Sequence, residues 1–228
     1  MIITNESLLE YMLEVSQEAA YELISIRDKN PKSKLIQPLK RNKTMRLSEQ
    51  ELRMACINAI QKDNINYLKA YFSIETPTEK TYKQKGKGYR SGRSDISLYQ
   101  RSEENFTKIC NIELKEKNCG IGGIYKDMEK LIKEDIVGGW FHILRNTNSG
   151  TYATLFSKFS EAIANVVSKH VPKFPILFTF FDLNNGELII RKVQPHELLD
   201  PNSVFKISYK ALRAAKNRDC VDGWMVFK

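Results

Sequence analysis

The chain has 228 residues, which is long enough to bury a full hydrophobic core, and one domain is the default expectation. Hydrophobic residues make up 42% of the chain and charged residues 28%, as in ordinary globular proteins, and no apolar run approaches the roughly 20 residues that a membrane span needs. The net charge of +9 favours a polyanionic partner.

The first quarter of the sequence predicts two helices joined by a basic segment. Apolar residues at helical spacing indicate a helix over residues 6–27, in which a glutamate recurs at every fourth position. These glutamates indicate a solvated acidic face or, alternatively, a helix docked beside a basic surface. Residues 28–46 are rich in Lys and Arg and contain two prolines, so we expect a basic linker or arm. Ser48 and Glu51 form a capping-box pattern that begins a second helix, running to about residue 62.

Strands dominate the next part of the chain. Alternating side chains predict a strand over residues 67–76. Residues 79–93 are rich in Lys, Tyr and Gly, and we expect a flexible basic loop there. Two further strands follow, one at 92–99 and one at 107–115, with a short polar turn between them.

The second half of the chain alternates helices and strands. The predicted helices lie near 124–135, 151–169 and 208–217, and the predicted strands at 140–144, 174–182, 187–193 and 224–227. We therefore expect an α/β fold with a central mixed β-sheet flanked by helices. An N-terminal helix and basic arm over residues 1–46 would precede a domain over 47–228, and together they would form one folded unit.

Asp95, Glu113 and Lys115 form the candidate catalytic site. Side chains alternate along a strand, so Glu113 and Lys115 point to one face, and Asp95 on an adjacent antiparallel strand can reach the same place. Two carboxylates can hold Mg²⁺, which polarises a phosphate and lowers the pKa of a bound water. Lys115 can then steer or deprotonate that water, or stabilise the developing charge. The alternative is a hairpin with a solvent-exposed cross-strand pair of a lysine and a carboxylate.

The order of these elements resembles the PD-(D/E)xK nuclease superfamily, which has the restriction-endonuclease-like fold. The similarity runs over roughly residues 47–182, and here a serine stands before Asp95 in place of the proline of the motif. The resemblance implies that Asp95, Glu113 and the main-chain carbonyl of Leu114 bind Mg²⁺, for which Mn²⁺ can substitute. It also implies that Lys115 positions the attacking water and that DNA hydrolysis leaves a 5′-phosphate.

Members of this superfamily often add a glutamate from the first core helix to the site. Glu51 is the best match in this chain and Glu49 the second. Glu51 fits a capping role equally well, so both interpretations stay open.

The segment 79–93 leads directly to Asp95 and is expected to lie near the proposed site. Its basic residues can neutralise phosphates, and Tyr82 or Tyr89 can stack on a base or sugar. The alternative is a disordered surface loop. The candidate nucleic-acid-binding residues are Lys83, Lys85, Lys87, Tyr89, Arg90 and Arg93.

These features favour a Mg²⁺-dependent deoxyribonuclease, and specifically an endonuclease acting on DNA. Cutting both strands needs two sites, which makes a homodimer plausible. The alternatives are a non-catalytic nucleic-acid-binding or assembly module on a nuclease fold, and a structural protein with a surface ion cluster. The four cysteines lack Cys-x-x-Cys spacing, and the N-terminus lacks the basic start and apolar core of a signal peptide. We therefore expect reduced cysteines, a cytoplasmic location and no membrane partner.

Overall fold

A computed structural model describes most of the chain. The described residues are 3–27, 35, 48–62, 65, 67–84, 88–117, 119–145 and 147–228, with the side chains of 83 and 84 excepted. Nearly all of the predicted basic arm lies outside these ranges.

Eight strands form one sheet in the order β1-β2-β3-β4-β5-β6-β8-β7. The strands β3, β4 and β5 are parallel to one another, and all other neighbours are antiparallel. The predicted α/β fold with a mixed sheet flanked by helices is therefore confirmed. The strands are β1 (Tyr71–Gln84), β2 (Gly88–Arg101), β3 (Phe106–Glu116), β4 (Val137–Leu144), β5 (Ile176–Asp182), β6 (Glu187–Val193), β7 (Cys220–Val221) and β8 (Trp224–Phe227).

Helices cover both faces of the sheet. The helices are α1 (Asn5–Arg27), α2 (Glu49–Ile60), α3 (Ile121–Lys133), α4 (Ser149–Val167), a 3₁₀ turn (Glu197–Leu199), α5 (Pro201–Val204) and α6 (Tyr209–Ala214). The sequence patterns did not predict the 3₁₀ turn, α5 or β7, and most other predicted elements are present with ends shifted by a few residues. No helix in the described ranges is both long enough and apolar enough to cross a bilayer.

The sheet separates two hydrophobic cores. The helices α1 and α2 belong to the first core, and α3 and α4, which connect the parallel strands, belong to the second. Along β3, Ile112 and Leu114 lie in the first core, so strand alternation turns Glu113 and Lys115 towards α3 on the other face. This alternation is what places charged side chains beneath α3.

The helix α1 is an integral part of the first core, in which Leu9 and Met12 are fully buried. Its glutamates meet lysines from other elements. Lys192 of β6 contacts Glu6 at 2.7 Å and also contacts Glu10 of the same helix face. The part of the acidic face that carries Glu6 and Glu10 thus lies beside a basic side chain while both glutamates stay in contact with water.

The predicted flexible loop at 79–93 is wrong, because β1 and β2 are 14-residue strands of one long hairpin. Strand pairing continues from Tyr71 and Tyr99 as far as Gln84 and Gly88. The Lys- and Gly-rich composition suggested a loop, but the hairpin lies at the edge of the sheet, where polar side chains stay in water.

Candidate active site

Asp95 lies where β2 separates from β3. The last paired residues of the two strands at this end are Ile96 and Ile112. Beyond them, Asp95 Oδ2 accepts a hydrogen bond of 2.7 Å from the backbone N–H of Leu114. The carboxylate thus takes the place of a strand partner and lies against the peptide that follows Glu113.

Arg53 of α2 holds the second oxygen of Asp95. Its Nη2 lies 2.9 Å from Asp95 Oδ1 and 2.7 Å from Glu75 Oε1. Arg53 is buried, so these two carboxylates compensate its charge. Sequence analysis missed Arg53 because a helix packing across the sheet brings it to Asp95, and no local pattern marks it.

Glu113 is the most deeply buried acid of the site, with 1% of the residue exposed. Lys130 Nζ donates a short hydrogen bond to Glu113 Oε2, while Glu113 Oε1 is buried without a hydrogen-bond partner among the described residues. Burial raises the pKa of Glu113 well above its usual range, and the carboxylates of Asp127 and Asp95 add to the rise against the opposing charge of Lys130. A buried acceptor without a protein partner calls for an explanation, and a bound ion or water is one such explanation.

Lys115 is enclosed by acids. Its Nζ lies 2.9 Å from Asp127 Oδ2 and 3.7 Å from Glu49 Oε1. Burial favours the neutral amine, but the charges of Asp127, Glu49 and Asp95 outweigh it and raise the pKa of Lys115. Lys115 therefore carries an ammonium at neutral pH and is unsuited to act as a general base.

Asp127 and Lys130 of α3 complete the ion cluster and were also missed. Asp127 Oδ1 lies 2.8 Å from Lys130 Nζ, and both residues are buried. The two lysines, Lys130 and Lys115, outweigh burial and lower the pKa of Asp127. The sequence does contain one signal that these two residues are buried. Asp127 and Lys130, three positions apart, fall on the same helix face as the apolar residues that pack in the core.

Of the two glutamates considered on α2, Glu49 and not Glu51 faces Lys115. Glu51 Oε2 accepts a short contact from the hydroxyl of Ser48, the residue that caps the helix. The capping interpretation of Glu51 thus has a contact in its favour. Burial raises the pKa of Glu49, and Lys115 opposes that rise.

The basic residues of β2 lie on the outer part of the hairpin. Tyr89 is 70% exposed, and Arg90 and Arg93 are also exposed. Tyr82 is different, since it is 4% exposed and its hydroxyl donates to Glu134 Oε1 at 3.0 Å, so the prediction that Tyr82 can stack on a base is wrong. The residues Lys85 and Lys87 and the side chain of Lys83 lie outside the described residues.

The C-terminal end of α3 fastens this hairpin to the site. Glu134, which follows α3, accepts hydrogen bonds from the backbone N–H groups of Glu79 and Lys80 at 3.0 and 2.9 Å. Lys130 Nζ donates to the carbonyl of Arg93 at 2.9 Å. The same helix therefore contacts the hairpin and, through Asp127 and Lys130, the charged residues of β3.

Within the part of the chain that the structure describes, no group of three or more His, Cys, Asp and Glu side chains is arranged to hold a metal ion. The chain matches no known family, no curated protein and no solved structure.

Proposed function

We propose that this chain hydrolyses DNA phosphodiester bonds with Mg²⁺ as an endonuclease, on a restriction-endonuclease-like fold. The observation that carries the proposal is the arrangement around Leu114. Asp95 binds its backbone N–H, and the neighbouring Glu113 keeps a buried oxygen without a partner among the described residues. Lys115 follows on the same strand face as Glu113.

The residues present fit one Mg²⁺ with few protein ligands. This ion usually keeps several waters and binds one or two carboxylates, so Asp95 and Glu113 supply enough of them without a third acid. The N–H and C=O groups of one strand residue point to the same side, so the Leu114 carbonyl also faces β2 and Asp95. The ligands would be Asp95, Glu113 and this carbonyl.

The charge of the cluster also favours a divalent cation. The acids linked by ion pairs are Glu49, Glu75, Asp95, Glu113 and Asp127, and the cations are Arg53, Lys115 and Lys130. If all are ionised, the five acids exceed the three bases by two negative charges. Burial is the main cause of the raised pKa of Glu113, and the neighbouring carboxylates of Asp127 and Asp95 raise it further against the charge of Lys130.

The chain's own residues would orient the phosphate and stabilise its charge. When bound, Mg²⁺ would polarise the scissile phosphate and lower the pKa of a water. Lys115 would stabilise the negative charge that develops on the phosphate, because its ammonium keeps its proton. Arg53 fixes Asp95 in position, and the exposed residues Arg90 and Arg93 would contact the DNA backbone.

One observation favours a second candidate, a DNA-binding module without turnover. Lys130 already neutralises one oxygen of Glu113, as an internal counter-ion would in a protein that binds no metal. In that case the exposed face of the hairpin would bind DNA independently of Mg²⁺. The four free cysteines agree with the cytoplasmic location that we propose for either activity.

Plasmid nicking tests the proposal. The wild-type protein should convert supercoiled DNA to open circles with Mg²⁺ and stop when EDTA is added. Lys115→Ala should slow cleavage by about 10²-fold or more, since it removes a charge that acts in the transition state. Lys117→Ala is the matched control, because this lysine is two positions along the same segment and its side chain is 54% exposed. Cleavage that resists EDTA, or equal rates for the two variants, would refute the assignment, and DNA binding without any cleavage would favour the second candidate.

A further inference from the structure

Asp127 links the two lysines of the candidate site. It lies on the side of α3 that faces β3, and its two carboxylate oxygens bind different ammonium groups, Lys130 at 2.8 Å and Lys115 at 2.9 Å. Asp127 is 4% exposed, so water does not replace either partner freely. A buried carboxylate with one cation on each oxygen is held in a single orientation.

Lys130 in turn is fixed by both strands of the site. Besides Asp127, its Nζ contacts Glu113 Oε2 and donates to the backbone carbonyl of Arg93 at 2.9 Å. Arg93 lies two residues before Asp95 on β2. Lys130 therefore anchors Asp127 to the two strands that carry the proposed metal ligands.

Apart from Asp127, the contacts of Lys115 are longer than those of Lys130. One of them is with the Trp140 ring, whose centroid lies 6.0 Å from Lys115 Nζ. Its side chain is 18% exposed, and its other ion-pair partner, Glu49, is 3.7 Å away, beyond hydrogen-bond distance. A lysine side chain has four rotatable bonds and moves readily unless a partner holds it. Asp127 is the partner within hydrogen-bond distance.

We propose that Asp127 is a positioning residue that holds the Lys115 ammonium at the scissile phosphate, with Lys130 as the anchor that fixes Asp127. This inference rests on the proposed function and assigns the residue that orients its catalytic lysine. Asp127 touches neither substrate nor metal in this scheme and acts only through Lys115. The competing view is that Asp127 merely fastens α3 to the sheet.

The two views differ in how the effects of substitutions combine. Asp127→Asn keeps the shape of the side chain and removes its charge. If Asp127 acts through Lys115, Asp127→Asn should lower kcat about 10- to 100-fold, the usual effect of losing a residue that orients a site group. KM and DNA affinity should change little. In a Lys115→Ala background, Asp127→Asn should slow cleavage further by less than about threefold, because the lysine that it positions is gone.

Two further variants guard against a misfolded protein. Asp135→Asn makes the same chemical change just beyond the end of α3, at a residue whose ion-pair partner Lys173 is largely exposed, and it should cleave like the wild type. Asp127→Glu retains the charge but displaces it by one methylene. It should remain folded by circular dichroism and still lose most of its single-turnover rate.

The outcomes separate this inference from the proposed function. If the wild type cleaves and the Asp127→Asn and Lys115→Ala effects on rate multiply, or Asp127→Glu cleaves at the wild-type rate, Asp127 is not a positioning residue. If the wild type does not cleave DNA with Mg²⁺ at all, the proposed function fails and this inference falls with it. The inference is established if Asp127→Asn lowers kcat alone and lowers it much less when Lys115→Ala is already present.

Discussion

At the scale of single residues, most charged groups of the site have two partners. Asp95 accepts from Arg53 and from the Leu114 N–H, and Asp127 accepts from Lys115 and Lys130. Removing one such group leaves a buried donor or charge behind, which costs more than the contact itself contributes. Substitutions here will therefore change both stability and chemistry.

Asp95→Ala illustrates this double effect. Crowded carboxylates repel one another, and repulsion alone would make this variant more stable. Because Asp95 instead satisfies Arg53 and the Leu114 N–H, we expect the variant to lose about 1–3 kcal/mol of unfolding free energy, together with all cleavage. Urea unfolding monitored by fluorescence measures the loss. Asp95→Asn, which keeps an acceptor for the backbone, should be affected less, and equal stability of all three proteins would contradict these contacts.

His142 gives the structure a dependence on pH. It is paired with Lys115 across β3 and β4, is fully buried, and its Nε2 contacts the backbone carbonyl of Lys117. Burial lowers the pKa of His142 from 6.5 to about 4, against the opposing effect of that carbonyl. The folded protein therefore keeps this imidazole neutral over a range in which the unfolded chain protonates it.

As the pH falls from about 6.5 to 4, His142 becomes protonated in the unfolded chain but stays neutral in the folded protein. The free energy of unfolding therefore decreases in this window. The full contribution is about 3 kcal/mol for a shift of this size. His142→Gln should remove this part of the acid sensitivity. Urea unfolding at pH 7, 6, 5 and 4 tests it, and parallel curves for the two proteins would show that His142 is not the group responsible.

At the scale of elements, α3 and the β1–β2 hairpin form one unit. The register of the hairpin shifts between Pro77 and Thr81. Within this irregular stretch, the N–H groups of Glu79 and Lys80 donate hydrogen bonds to Glu134. Thr78 joins the two strands at the same point, since its hydroxyl oxygen accepts a hydrogen bond of 2.7 Å from the Gly92 N–H. The hairpin is thus fixed at its middle, on the side of the sheet where α3 covers the site.

Glu134→Ala should loosen the hairpin locally. The variant leaves two backbone N–H groups and the hydroxyl of Tyr82 without their acceptor, a loss of about 1–3 kcal/mol. Hydrogen exchange should become faster at Glu79 and Lys80 and along the outer hairpin. Glu161→Ala, on the exposed side of α4, is the control. Unchanged exchange at these amides would mean that the carboxylate does not hold the hairpin.

The sequence predicted the elements that carry Asp95, Glu113 and Lys115 because strand alternation is a local signal. It did not predict the contacts of Arg53, Asp127 and Lys130, because these depend on how two helices pack across the sheet. It also misassigned residues 79–93. Glycine and lysine are typical of loops, but in an edge hairpin tied down by Glu134 they are compatible with strands.

At the scale of the whole molecule, the net charge of +9 favours DNA binding, and we expect the basic residues of the hairpin to make the contacts with DNA. Neutralising Lys83, Lys85 and Lys87 together should weaken DNA binding and flatten its dependence on salt. Each lost phosphate contact should reduce the slope of log K against log [salt] by roughly 0.9. Filter binding at several salt concentrations measures this slope.

A matched control tests whether position or total charge matters. Lys206, Lys210 and Lys216 are exposed in the segment that precedes β7, the opposite edge strand of the sheet. Neutralising these three changes the net charge by the same amount and should leave the slope nearly unchanged. Equal changes in the two triple variants would show that DNA does not bind at the hairpin.

The contact of Glu134 with the edge of the sheet also bears on self-association. An outer strand with free N–H and C=O groups is a template on which another chain can add a strand. On β1, the carboxylate of Glu134, the residue after α3, accepts from the N–H groups of Glu79 and Lys80, and Pro77 has no N–H. A second chain that paired along β1 would therefore lose hydrogen-bond partners at residues 77–80, in the middle of the strand. The contact that fixes the hairpin thus also interrupts this edge as a template for strand addition.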